Sequence, residues 1–109
     1  MSFSVKTIDV FERQAKRLIK KYPSLRSELV TLVQSLRKDP LQGTAIANNC
    51  QKIRLAIKSK GKGKSGGARI ITTAVVSANT VFLLSIYDKS DKETITDKEI
   101  VALLQHLPK

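Results

Sequence analysis

The chain has one cysteine, one histidine, no tryptophan and, between Asp39 and Asp88, no acidic residue at all. Each scarcity excludes something. A lone Cys50 cannot build an internal disulfide framework and suits a reducing compartment; it reads as a small buried hydrophobe rather than a nucleophile. With His106 as the only histidine and no Cys or Asp clustered at ligand spacing, no metal site is expected. No apolar run approaches the ~18 residues of a membrane span. The opening stretch MSFSVKTIDVF lacks the uninterrupted apolar core of a secretion signal. The expectation is a complete cytoplasmic chain.

What is present is charge of one sign. Twenty Lys and Arg against nine Asp and Glu leave +11 on 109 residues. Self-repulsion on that scale costs stability, so a polyanionic partner is expected: nucleic acid first, an anionic surface or an acidic protein second. The length suits one domain spanning 1–109. A hydrophobic content of 41% suits a folded globule, not a disordered basic tail. The charge concentrates in residues 52–69, KIRLAIKSKGKGKSGGAR, with seven cations: Lys52, Arg54, Lys58, Lys60, Lys62, Lys64 and Arg69.

Periodicity places this stretch in a fold. Residues 2–8 alternate, with Phe3, Val5 and Thr7 on one face of a short strand, and Asp9 stands where a helix N-cap would. Phe11, Ala15, Leu18, Ile19 and Tyr22 then recur at helical spacing opposite Arg13, Lys16, Arg17, Lys20 and Lys21. Pro23 ends that helix. Ser24 can cap a second one, with a stripe of Leu25, Leu29, Leu32, Val33 and Leu36. The two form a helical hairpin suited to covering a sheet. Asp39-Pro40 with Gly43 marks a turn, and residues 44–50 read as a short strand. Residues 52–58 form a strand with Ile53, Leu55 and Ile57 on one side and Lys52, Arg54 and Lys58 on the other. A flexible basic loop over 59–67 leads to a β-branched strand at 68–76. A turn at 77–79 precedes the apolar strand 80–87, which reads as central and covered on both faces. Thr96 and Glu99 form a capping box starting a last helix to about Leu107. The order β-α-α-β-β-β-β-α predicts an α+β fold: an antiparallel sheet of four or five strands, the first strand pairing with its middle, the hairpin on one face and a short C-terminal helix.

Two nucleotide motifs dissolve on inspection. Gly61-Lys62-Gly63-Lys64-Ser65-Gly66 satisfies G-x-G-x-x-G, but a strand and not a helix follows. Gly63-Lys64-Ser65 echoes a phosphate loop whose other required glycine is Lys58 here. What remains is glycine-permitted approach of backbone N–H groups to a phosphate, with lysines as point charges, or simply a solvated loop. The adjoining strand favours the former. Its outward cations, with Lys60 in the loop and Arg69 just across it, look like a groove for a phosphodiester chain. No acid–base pair stands out. His106 reads as a helix-end residue, and Tyr87 as a core-edge ring with a wet hydroxyl, followed by Lys89.

The motifs KIRLA, GKGKSGGAR, FLLSIYDK and TDKEI, in that order behind the KKYPSL hairpin, resemble the RelE/ParE superfamily of bacterial toxins, specifically RelE/HigB-like mRNA interferases of type II toxin–antitoxin systems. The resemblance covers nearly the whole chain. It implies a small sheet with a helical hairpin on one face. It also implies a ribosome-dependent endoribonuclease that needs no metal or cofactor. Attack of a ribose 2′-OH on the adjacent phosphate would leave a 2′,3′-cyclic phosphate and a 5′-OH. By the same resemblance Arg69 would stabilise transition-state charge. Lys62 and Lys64 would contact the scissile phosphate or protonate the leaving oxygen, and Tyr87 and Lys89 would assist proton transfer or stack on a base. Lys52, Arg54, Lys58 and Lys60 would hold RNA. Implied partners are a cognate antitoxin, the ribosome and mRNA, with operator DNA reached only through the antitoxin and no membrane. The chain departs from the RelE pattern in lacking a tyrosine after residue 93. A ParE-like DNA gyrase inhibitor and a non-catalytic RNA-binding module on the same fold are the alternatives.

Overall fold

A computed structural model describes residues 2–61, 63 and 66–108. The alternating N-terminus forms strand β1, Ser4–Thr7. Helix α1, Asp9–Lys21, buries Phe11, Ala15 and Leu18. Asp9 is the first helical residue and not the cap. Ile8 holds the cap position without a side-chain bond, and Asp9 and Glu12 sit in the first turn, where the helix dipole favours acids. Glu12 accepts a bond from the Thr7 hydroxyl at 2.8 Å. Helix α2, Leu25–Lys38, buries Leu25, Leu32 and Leu36. Ser24 precedes it but has helical backbone angles and makes no cap bond.

Residues 44–50 do not form one strand. Strand β2, Thr44–Ile46, gives way to a 3-10 turn at Ala47–Asn49, and β3 begins at Cys50 and ends at Leu55. Asn48 and Asn49 both have φ of 60°, a left-handed conformation that asparagine tolerates better than most residues. Strands β4, Ala68–Val75, and β5, Thr80–Asp88, complete a sheet of order β1-β5-β4-β3-β2. Four strands form the expected antiparallel meander. β1 adds at the edge, beside β5 and parallel to it, so the sheet is mixed. A period of two carries no strand direction, which is why the pattern alone could not assign this pairing.

All nine residues of β5 are buried. The hairpin covers one face, with α1 against β5. Ile53, Ile70 and Ile86 stand opposite one another across three strands, and full burial of each contributes roughly 1.5–3 kcal/mol. A bulge between Ile71 and Thr72 makes Leu84 the extra residue of β5. Past the end of β1, Gln14 of α1 substitutes for the missing ladder: its Oε1 accepts from Ile86 N–H and the Ser85 hydroxyl, both at 3.0 Å. Helix α3, Asp97–Leu104, carries the predicted Thr96/Glu99 capping box and buries Ile100 and Leu103. It ends sooner than expected, so His106 lies beyond it and is exposed. Among the described residues no helix is long and apolar enough to cross a membrane.

Candidate nucleic-acid interface

Strand register brings together residues that the sequence spreads over 34 positions, from Arg54 to Tyr87. Arg54 of β3 faces Arg69 of β4, and Arg69 faces Tyr87 of β5. Residues directly opposite on a sheet share a face, with Cβ atoms about 4.5–5.5 Å apart. Arg54, Arg69 and Tyr87 therefore form one transverse row. Adjacent residues of a strand point to opposite faces. Asp88, next to Tyr87, bonds to Tyr22 at the end of α1, so the row lies on the face away from the hairpin, where α3 and the segment before it approach. The Lys92 ammonium sits 5.7 Å from the Tyr87 ring centre and pairs with Glu99.

The row is electrostatically loaded. Arg69 is 2% exposed. Burial, and then the neighbouring Arg54 charge, weaken its hold on its proton, while Tyr87 opposes them. One guanidinium N–H donates to the Ala68 carbonyl at 3.1 Å. Tyr87 is 7% exposed, and its hydroxyl is buried without a hydrogen-bond partner among the described residues. The expected wet hydroxyl is thus a dry one. Burial pushes its pKa up, Arg69 pulls it down and Glu99 pushes it up again, with a net rise. Glu99 itself is held down at about 2 by Lys92 and by the backbone N–H of Thr96. The arrangement offers two side-by-side guanidinium groups to an anion and a phenol that keeps its proton at neutral pH.

The second of the two glycines before Arg69 has a physical reason. A Cβ on Gly67 would lie 2.1 Å from the Leu55 carbonyl oxygen. Only glycine lets the chain pass so close to the end of β3 as it enters β4.

The other expected residues scatter. Lys52 is half-buried on β3, two residues before Arg54 and so on the same face. Lys58 lies past the end of β3, in a 3-10 turn at Lys58–Lys60. It is exposed, and its backbone N–H donates to Glu28 at 2.8 Å. This turn is stapled to the hairpin: the Ser59 N–H donates to the Ser24 hydroxyl at 2.9 Å. The first part of the expected flexible loop is therefore pinned. Lys60 departs furthest from a mobile loop cation. Its ammonium is enclosed in an ion pair with Asp88 and also donates to Ser90 Oγ at 2.8 Å. Lys89 is half-buried just after β5, and its N–H donates to the Gly67 carbonyl at 3.1 Å. Lys62 and Lys64 lie outside the described residues.

Sequence reasoning missed Lys92 and Glu99 as neighbours of Tyr87. The capping box marked Glu99, but nothing in the pattern said which strand α3 would cover. It also missed the Lys60–Asp88 pair, which no local spacing announces. Among the described residues no three His, Cys, Asp or Glu side chains converge as a metal site would require.

The comparisons with known proteins agree with this architecture. The E. coli toxin RelE, as a double arginine-to-alanine mutant in the free state, matches with a TM-score of 0.62 at 15% identity, over 99% of this chain and 100% of that one. The isolated E. coli RelE toxin matches with a TM-score of 0.53 at 17% identity, over 97% of this chain and 100% of that one. At such identities the likeness speaks for the fold. A family model described as the RelE toxin of the RelE/RelB toxin–antitoxin system matches residues 7–108. Spanning nearly the whole chain, that match shows that the protein belongs to the RelE family of toxin–antitoxin toxins.

Proposed function

We propose that the chain is an mRNA endoribonuclease that acts on the ribosome in the cytoplasm and needs no metal. The observation that carries this reading is the Arg54–Arg69–Tyr87 row. The Arg54 charge disfavours the neighbouring Arg69 guanidinium, and an anion bound at the row is attracted by both. A phosphate gaining charge on its way to a pentacovalent state is the anion that benefits most. RNA lies along the outward side of β3, held by Lys52 and Arg54 with Lys58 flanking, while Lys60 is paired with Asp88 and drops out of the RNA contacts; the family resemblance assigns Lys62 and Lys64 to the phosphate. The ribose 2′-oxygen attacks phosphorus, and its proton leaves to solvent. As the O2′–P bond forms, the P–O5′ bond breaks. Tyr87, protonated at neutral pH, donates to the departing 5′-oxygen. The products are a 2′,3′-cyclic phosphate and a 5′-OH. The partner in the cell is a cognate antitoxin, acidic at least locally, through which the chain reaches operator DNA.

The test is to incubate the purified chain with ribosomes programmed with mRNA and to map the cut ends. Cuts on ribosome-bound but not free mRNA, ending in cyclic phosphate, are expected. A folded chain that cuts nothing refutes the reading. If cells expressing it also filament with damaged DNA, the gyrase-directed alternative takes its place.

A further inference from the structure

The end of β5 carries two adjacent residues with opposite outlooks. Tyr87 faces the arginine row, while Asp88, 1% exposed, faces the hairpin. Asp88 Oδ2 accepts from the Tyr22 hydroxyl at 2.7 Å. Its Oδ1 accepts from the Lys60 ammonium and from the Ser90 N–H, the latter at 2.9 Å. Lys60 also sits 5.7 Å from the Tyr22 ring centre. One carboxylate thus ties together the end of α1, the turn after β3 and the turn after β5. Beside it, Asp88 pairs with Ala68, the residue before Arg69, and the Lys89 N–H closes onto Gly67.

We infer that Asp88, through its bonds to Lys60 and Tyr22, is a positioning residue that holds the β4–β5 end in register and so fixes Tyr87 and Arg69 relative to each other. The inference builds on the catalytic reading of that row. β1 stops at Thr7, opposite Leu83, so no strand flanks β5 on that side near Tyr87. β4 has little ladder left either, since Ala68–Asp88 is its terminal pair. A strand end with one neighbour frays unless side chains hold it. The Asp88 bonds do the holding from the face that RNA does not touch. A displacement near 1 Å in a reacting group costs on the order of 100-fold in rate, so loss of the anchor should reach the chemistry without any lost contact to RNA.

The experiment uses the intact chain and Asp88→Asn, with two readouts. The first is single-turnover cleavage on programmed ribosomes over a range of toxin concentrations. The second is the titration of Tyr87 followed by tyrosine-ring NMR, its signal assigned with a Tyr22→Phe variant. In Asp88→Asn the maximal rate should fall on the order of 100-fold while the half-saturating concentration holds. The Tyr87 midpoint should also drop toward the ordinary phenol value as water reaches the ring. A merely structural role would leave both unchanged in the folded protein, and that result overturns the inference. If the parent chain itself cuts nothing but Tyr87 still shifts in Asp88→Asn, the positioning role stands and the nuclease reading falls. Should Asp88→Asn not fold, Lys60→Met with Asp88→Asn removes both buried charges together and is read in the same way.

Discussion

Replacing Arg69 with alanine separates chemistry from stability in one variant. Arg69 is buried opposite Arg54 and Tyr87. If Arg69 acts on the reacting phosphate as proposed, removing its guanidinium takes away a preorganised donor, which costs roughly 10²–10³-fold in rate, or about 2.7–4 kcal/mol on the barrier. Two opposing effects act on stability. Truncating a buried stem of two methylenes beyond Cβ loses about 1.6 kcal/mol at roughly 0.8 kcal/mol each, and the bond to the Ala68 carbonyl adds about 1 kcal/mol. Against this stands the neighbouring Arg54 charge, which disfavours the Arg69 guanidinium. The second offsets part of the first, so Arg69→Ala should lose no more than about 2–3 kcal/mol and stay folded. Single-turnover cleavage on programmed ribosomes gives the rate, and denaturant melts give the stability. A third readout follows from the row. Arg69 lowers the Tyr87 pKa, so in Arg69→Ala the phenol should titrate higher still. A folded Arg69→Ala that cuts at the parent's rate would refute the assignment of Arg69 to transition-state charge.

Two further outcomes follow. Burial raises the Asp88 pKa, but Lys60, the Ser90 N–H and Tyr22 outweigh it and hold the carboxyl at about 2, against roughly 3.9 unfolded. Its contribution, about 2–3 kcal/mol, is therefore complete above about pH 4 and disappears as pH falls through about 2; melts between those values should show the loss, and Asp88→Asn should remove that part of the acid sensitivity. Gly67→Ala, which would place a Cβ 2.1 Å from the Leu55 carbonyl oxygen, should force β3 and β4 apart and cost at least the 1–3 kcal/mol typical of overpacking; an unchanged melting temperature would show that the close approach is dispensable.

Much of the fold was legible because burial imposes a period. Phe11, Ala15 and Leu18 mark the inner face of α1, as Leu25, Leu32 and Leu36 mark that of α2, since only a 3.6-residue repeat brings them to one side. The apolar run of β5 announced burial on both faces, and Thr96 with Glu99 announced the start of α3. Asp9 was misplaced by one residue because a first-turn acid and an N-cap acid have the same composition. Of the candidate site, the sequence marked the residue types and the strand carrying them. It read Lys60 as another loop cation, because charge along a chain does not reveal that an aspartate 28 positions away will close on it. Tyr87 was read as wet for the same reason: the segment that dries it arrives from beyond the strand.

The sequence by itself determined that this chain folds around a buried apolar strand, carries a dense positive charge on the middle of the molecule, and has the motifs of a toxin family. Those properties live in composition and local period, which every conformation of the chain shares. Only the tertiary structure decided how the positive stretch divides. Strand register set Arg54 beside Arg69 and Tyr87 as a row fit for a phosphate, while a turn after β3 carried Lys60 to the hairpin side and closed it on Asp88. The physical reason is that register and crossing elements, not neighbours in sequence, determine which side chains stand beside one another inside the fold.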